Sequence, residues 1–215
     1  MIINFFPLLS MKPVATGKIL DTDIYAIKNK HNNLFAFMTG DGYTLIDAGS
    51  DLTIIKEAFD KMSIDIARVK NVLLTHTDSD HVASLSLFTN TAIYMSEDEK
   101  QMIDGKTKRN AFSFNALPKE IDIGSLILLS DKQDLILGER TIQCIKVPGH
   151  TLGSMAYLLD GKYMFTGDSI KINNDDFFIH PFSMDKNSAK TSIARINSLR
   201  RSCKLIITSH YGYIR

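Results

Sequence analysis

The residues best able to do chemistry fall in one short stretch, LLTHTDSDHVAS (73–84), which packs His76, Asp78, Asp80 and His81 together. Imidazole nitrogens and carboxylate oxygens at this density are the donors that zinc, iron and manganese take. Three further segments share one grammar, in which an apolar run ends and a histidine or aspartate stands at its tip. IKVPG leads to His150, YMFTG to Asp168 and LIITS to His210. A lone His-x-Asp is ordinary solvated surface, but four apolar runs that each end in a ligand type are not. Seven such residues, none of them cysteine, are enough for two ions at three or four protein ligands each.

Ligands at strand ends need a sheet behind them to hold their spacing, with loops around them to admit a substrate. DIYAIKN (23–29), NLFAFMTG (33–40) and YTLIDAG (43–49) read as strands, with the Asp-Gly at 41–42 as a hairpin signal between the last two. Ser50 or Asp51 then caps a helix that carries Leu52, Ile55, Ala58, Phe59 and Met62 on one face. VKNVLL (69–74) is a short strand that empties into the HTDSDH loop, and VASLSLF after it reads as a short helix. TAIYMS (91–96) returns as a strand and EDEKQMI starts a charged helix, while 105–120 reads as a loop or a flap over a site. SLILLS, TIQCIKV, SMAYLLD and KYMFTG follow as strands. SAKTSIARINSLRR (188–201) has Ile193, Ile196 and Leu199 at helical spacing, and KLIITS is a buried strand that runs into His210. Strands come in runs, helices separate some of them, and no linker-like stretch divides the chain. One α/β domain over 1–215 with mixed sheets is expected.

Composition bounds the function classes. The chain has 215 residues, 44% hydrophobic and 23% charged, with a net charge of +1. No basic excess points to nucleic acid, so a small-molecule substrate is expected. Cys144 and Cys203 match no zinc-ribbon or redox spacing and read as small hydrophobes in a reducing compartment. The opening MIINFFPLLSMKP is a poor secretory signal, broken by Pro7 and without a preceding basic residue, and Met11 offers a second start. No run approaches ~18 apolar residues, so a cytoplasmic protein off the membrane is expected.

The order of these pieces resembles the metallo-β-lactamase superfamily over nearly the whole chain. The matching pieces are LIDAG at 45–49, THTDSDH at 75–81, PGHTLGS at 148–154, TGD at 166–168 and SH at 209–210. The resemblance implies an αββα four-layer sandwich of two mixed sheets flanked by helices, with a dinuclear metal site at one sheet edge. Carried over by position, His76, Asp78 and His150 would bind the first ion, and Asp80, His81 and His210 the second, with Asp168 bridging. Asp47 would support the site without being a ligand. Gly149 and Gly153 would let the backbone come close to the cluster.

The chain departs from the family at Asp78, where the common pattern H-x-H-x-D-H has histidine. A carboxylate there remains a competent ligand. It adds one negative charge, which weakens the polarisation of bound water and substrate and moves the preference from zinc, the family's usual metal, toward iron or manganese. The flavodiiron branch of the superfamily uses a carboxylate at the same place.

The resemblance implies a metal-dependent hydrolase in which a water between two ions loses its proton near neutral pH and attacks a small ester, thioester, lactone or related substrate. Asp80 or Asp168 would orient that water and relay its proton. Two alternatives remain open at this point: a diiron redox protein with a separate electron donor, and a metal-stabilised binding domain without turnover. A nuclease is disfavoured, since that branch carries an inserted domain. His31 reads as a turn residue and His180, in FFIHPF, as a packed loop histidine, with a place in the wall of the substrate pocket as the alternative. Phe177, Phe178 and Phe182 are a pocket wall or loop anchors, Tyr211 and Tyr213 follow the last ligand, and KTKRN (106–110) reads as a solvated face.

Overall fold

β3 shows how the sheets are built, because its successive side chains enter two different cores. In the computed structural model, which describes residues 11–107, 109 and 117–215, β3 spans Asn32–Thr39. Leu34 and Ala36 point to one face and Phe35 and Phe37 to the other, and all four are buried. A strand covered on both faces reads as a continuous apolar run.

The first sheet holds β1 (Gly17–Lys18), β2 (Tyr25–Asn29), β3, β4 (Gly42–Ile46), β5 (Val69–Leu73), β6 (Ala92–Ser96) and β7 (Ile127–Leu129), in chain order across the sheet. β1 to β4 pair antiparallel and β4 to β7 pair parallel. The second sheet begins at its edge with β8 (Asp134–Leu137), then β9 (Arg140–Lys146), β10 (Met155–Leu159) and β11 (Tyr163–Phe165). β12 (Lys171–Asn173) and β13 (Asp176–Phe178) form a separate hairpin, and β14 (Leu205–Ile207) and β15 (Tyr213–Ile214) complete the second sheet. The helices are α1 (Leu52–Lys61), α2 (Ser79–Val82), α3 (Glu97–Ile103) and α4 (Lys186–Leu199).

Four layers result, which is the expected αββα sandwich. Between the sheets Phe35, Phe37, Ile46 and Leu73 meet Cys144, Tyr157, Phe165 and Ile207. The Phe165 ring lies 5.3 Å from Phe35 and 5.9 Å from Phe37. Ile55, Ala58 and Phe59 of α1 cover the outer face of the first sheet, and Ile196 of α4 covers that of the second. Asp51 caps α1 by accepting from the Thr53 and Ile54 amides, and Asp185 caps α4 by accepting from Asn187 and Ser188.

Several expected elements shift. The two-residue turn into β4 is Gly40–Asp41, one place earlier than the Asp-Gly signal. The short helix after β5 opens at Ser79, inside the HTDSDH motif, with a 3₁₀ turn over Leu85–Leu87 in place of its second half. α4 starts two residues before Ser188, set by its Asp185 cap, and ends at Leu199. β8 has no counterpart among the expected strands; it is an edge strand whose Ile136 is 76% exposed, so burial leaves little periodic signal in it. Half of the flap expected at 105–120, residues 108 and 110–116, lies outside the described residues. Among those described, no helix is long and apolar enough to cross a membrane.

Candidate metal centre

Within each sheet, the strands that lead to the motif residues run the same way. β4 is parallel to β5 and β11 to β14, while β9 and β11 are each antiparallel to β10 between them. Their C-terminal ends therefore meet at one edge of the sandwich. Cross-sheet hydrogen bonds close that edge: Met155 N donates to Thr75 O at 2.8 Å, Asn33 N to Ser209 O at 2.8 Å, and the buried Tyr157 hydroxyl to Leu74 O at 2.7 Å.

The seven predicted residues come together here in two groups around Asp168. Facing donor atoms of His76, Asp78 and His150 lie within 4.8 Å of one another, as do those of Asp80, His81 and His210. Asp168 Oδ2 is 3.1 Å from His210 Nε2, 3.5 Å from His150 Nε2 and 4.0 Å from His76 Nε2, and Asp168 Oδ1 is 3.6 Å from His81 Nε2. Asp80 is the open member, its side chain 43% exposed, whereas His76, His81, His150, Asp168 and His210 are buried.

Hydrogen bonds set the tautomer of three of the histidines. Asp47 accepts the Thr75 hydroxyl at 2.8 Å, which leaves Thr75 Oγ1 to accept from His76 Nδ1 at 3.0 Å. His81 Nδ1 donates to Asp47 Oδ2 at 2.8 Å, and His210 Nδ1 to the His31 carbonyl at 2.7 Å. Each ring is thereby held with Nε2 toward the cleft, the arrangement usual for metal-binding imidazoles. Asp47 has the supporting place expected of it. It sits at a left-handed φ of 62°, a conformation that aspartate tolerates better than most residues.

The chemistry of this donor set fits divalent cations. His76 Nε2, His81 Nε2 and Asp168 Oδ1 are buried without a hydrogen-bond partner among the described residues. Buried polar atoms are rarely left so unless a ligand takes them. The electrostatics agree. Burial alone would raise the Asp168 carboxyl, but His210, His180 and His81 hold it well below the carboxylate range. Burial is likewise outweighed at Asp78 by His76 and His150, and at Asp80 by His81 and His210, which bring Asp80 to about 2. Burial would lower His210, yet Asp168 and Asp80 push it up to about 10. At His81 burial is again outweighed, and Asp80, Asp47 and Asp168 raise the ring well above its ordinary value. Three ionised carboxylates thus converge on one cleft, their charge balanced here by the His81 and His210 rings.

Four residues outside the predicted set also shape the site. Glu99, buried in the first turn of α3, accepts from Thr77 N at 2.8 Å and its hydroxyl at 2.7 Å. It also accepts from the Thr151 hydroxyl at 2.7 Å and Gly153 N at 3.0 Å, so one carboxylate ties the 76–81 loop to the 148–154 loop. A Cβ on Gly153 would lie 2.1 Å from Glu99 N, and one on Gly149 2.4 Å from Ala189 N of α4. Both glycines permit close approach, but to helix starts and not to the cluster itself. In the sequence, Glu99 is masked by its acidic neighbours Glu97 and Asp98.

His180 is packed in its loop, as expected, and also turned to the site. Its ring meets His150 edge-on at 4.6 Å, and its Nε2 is 3.6 Å from Asp168 Oδ2. Its Nδ1 accepts from Phe182 N at 3.4 Å, so its neutral ring carries the proton on Nε2, opposite to the other three. Burial holds it well below its ordinary value against the pull of Asp168. Arg109 corrects the reading of KTKRN as a solvated face: its side chain is 4% exposed and its NH1 lies 3.0 Å from Asp78 Oδ2. Thr75 completes the set. Of the aromatic residues, Phe177 anchors its hairpin under the Arg200 guanidinium, Phe178 and Phe182 are exposed, and Tyr213 packs against the inter-sheet core. The Tyr211 ring lies 5.6 Å from His180.

Comparisons with known proteins give the family and the fold. The family model of the metallo-beta-lactamase superfamily matches residues 30–210. A probable polyketide biosynthesis zinc-dependent hydrolase of Bacillus subtilis is 33% identical over 107 residues, 48% of this chain and 40% of that protein. A hydroxyacylglutathione hydrolase of Psychromonas ingrahamii is 30% identical over 124 residues, 58% of this chain and 39% of that protein. The chain therefore spans less than half the length of these curated relatives. Among solved structures, MEM-A1, a subclass B3 metallo-beta-lactamase isolated from a soil metagenome library, superposes with a TM-score of 0.69 at 18% identity, over 87% of this chain and 76% of that one. With its family match running from the first sheet to the last strand-tip histidine, the chain belongs to the metallo-beta-lactamase superfamily.

Proposed function

We propose that this chain is a metal-dependent hydrolase of a small ester, thioester, lactone or related substrate. The observation that carries it is the set of buried, unpartnered donor atoms His76 Nε2, His81 Nε2 and Asp168 Oδ1, aimed into one cleft and backed by hydrogen bonds that fix the rings. His76, Asp78 and His150 would hold one divalent ion and Asp80, His81 and His210 another, with Asp168 between them. Zinc has the support of the named activity of the Bacillus subtilis relative, and iron or manganese that of the carboxylate at Asp78. When bound, such ions polarise a substrate oxygen and bring the proton of a water into range near neutral pH.

The chain's own groups then divide the remaining work. Asp80, exposed at the mouth and 3.3 Å from His210 Nε2, orients the attacking water and takes up its proton. Asp168, in contact with histidines of both groups, holds them in one constellation. His180 offers an Nε2–H beside Asp168, positioned to donate a hydrogen bond to a substrate or leaving-group oxygen. Asp47, Thr75 and the His31 carbonyl keep the imidazoles from turning.

Zinc-reloaded protein assayed on a panel of esters, thioesters, lactones and phosphodiesters tests this reading. Turnover of at least one class, lost in Asp80→Ala, is expected. Absence of turnover on every class, with Asp80→Ala indistinguishable, would overturn it. A visible absorption band in iron-loaded protein that bleaches on reduction would favour the diiron alternative.

A further inference from the structure

Resting on the metal-dependent reading, we propose that Arg109 is a built-in cation that occupies the first ion's place, so that the two metal positions differ in affinity and the first fills only when Arg109 leaves. Its guanidinium donates from NH2 to His150 Nε2 at 3.1 Å and lies with NH1 3.0 Å from Asp78 Oδ2. These are donor atoms of two of the three residues in the His76, Asp78 and His150 group. The same guanidinium is held by the His150 carbonyl at 3.2 Å from NH1 and the Phe182 carbonyl at 2.9 Å from NH2. Its two terminal nitrogens thus lie against four acceptor atoms of the protein itself.

The exclusion follows from lone-pair counting. An imidazole nitrogen has one lone pair. Arginine only donates, so His150 Nε2 must give that pair to Arg109, and it cannot give the same pair to a metal ion. His150 Nε2 also lies 3.2 Å from Asp78 Oδ2, but with an Arg109 N–H aimed at it the ring keeps its proton on Nδ1. A carboxylate has pairs to spare, so Asp78 alone would not force a choice; His150 does. His150 also lacks the anchor that the other three ligand histidines have, since its Nδ1 is buried with no hydrogen-bond partner among the described residues. At the second position, Asp80 faces the ligand histidines His81 and His210, at 3.6 and 3.3 Å. Asp78 faces His76 and His150 at 3.5 and 3.2 Å in the same way, and in addition the guanidinium at 3.0 Å.

The pairing also accounts for the departure at Asp78. Arginine beside histidine would be a cation beside a neutral ring. Arginine beside aspartate is a pair of opposite charges, here NH1 to Oδ2 at 3.0 Å and largely out of solvent. Asp78 therefore serves two cations in turn, the guanidinium and the ion. Because Arg109 also holds the Phe182 carbonyl, filling the first position would release a tie to the loop that carries His180.

The test is a zinc titration of metal-stripped protein against a chromogenic chelator, in wild type, Arg109→Ala and Arg109→Met, with circular dichroism to verify folding. The methionine variant keeps an apolar stem should alanine fail to fold. Wild type should take up one zinc tightly and a second roughly tenfold or more weakly. Both variants should tighten the weak step by about tenfold and leave the tight step within about twofold. The same tightening should appear in an Asp80→Ala background, where only the first position remains intact. Two equally tight zinc ions in wild type, or a weak step that no Arg109 substitution moves, would overturn the proposal while leaving the hydrolase reading in place. Uptake of no zinc at all would overturn both.

Discussion

His81 donates its Nδ1–H to Asp47 Oδ2 across 2.8 Å, and both side chains are buried. That bond decides which face of the imidazole the cleft sees. In Asp47→Asn the amide oxygen can still accept from Thr75 N, but its NH2 then faces His81 Nδ1. The ring must move its proton to Nε2, and the lone pair toward the cleft is lost. The variant should fold and bind zinc at the second position about 10–100-fold more weakly, read by chelator competition. Wild-type zinc affinity in folded Asp47→Asn would refute this role.

Glu99 is expected to matter for stability although it faces no substrate. Glu99→Ala removes the acceptor of the Thr77 and Gly153 amides and of the Thr77 hydroxyl in a buried place, while the Thr151 hydroxyl can still turn to Ser154 Oγ at 2.7 Å. Each orphaned group costs roughly 1–3 kcal/mol, so a loss of about 3 kcal/mol or more is expected in urea unfolding. Gly153→Ala should be similarly harmful because its Cβ would lie 2.1 Å from Glu99 N. A change below about 1 kcal/mol in both variants would show that the two loops are held by something else.

The ligand types and the fold are largely legible in the sequence, for one reason. A strand buried on both faces must be apolar, and a charged or imidazole side chain soon after it stands out; His76, Asp168 and His210 all follow that rule. The residues that support them are not legible. Glu99 lies in a run of acidic residues at a helix start, where acidic side chains are common for dipole reasons. Arg109 reads as one cation among several in KTKRN, and only its burial against Asp78 distinguishes it. His180 sits in a loop, where periodicity says nothing about the direction of a side chain. Its approach to Asp168 depends on the β12–β13 hairpin that precedes it.

His180 should affect turnover more than metal content. Its Nδ1 is turned to Phe182 N and its neutral ring carries N–H at Nε2, so removing it takes away a hydrogen-bond donor and not one of the seven proposed ligands. His180→Ala is expected to retain its zinc and lose about 10²-fold or more in kcat. If zinc content falls instead, His180 is acting as a ligand and the role assigned to it is wrong.

Cys144 provides a pH test away from the cleft. Burial between the sheets, with a smaller contribution from Asp134, raises its thiol from 9.0 to about 12. Below pH 9 the thiol is protonated in both folded and unfolded chains. Between 9 and 12 only the unfolded chain ionises, so the unfolded state binds fewer protons and stability falls as pH rises. Wild type should lose up to ~1.4 kcal/mol more stability per pH unit across that window than Cys144→Val. Parallel pH profiles for the two proteins would contradict this assignment.

The central claim is that the strand-tip cluster around Asp168 holds the metal that makes this chain a hydrolase. The direct measurement is the rate of hydrolysis of the best panel substrate as metal-stripped protein is titrated with zinc, in wild type and Asp168→Ala, with bound zinc measured in the same samples. The stripped wild type should be inactive and folded, regain turnover as zinc is taken up, and exceed Asp168→Ala by about 10²-fold or more. Hydrolysis that proceeds without bound metal, or an Asp168→Ala protein as active as wild type, would contradict it.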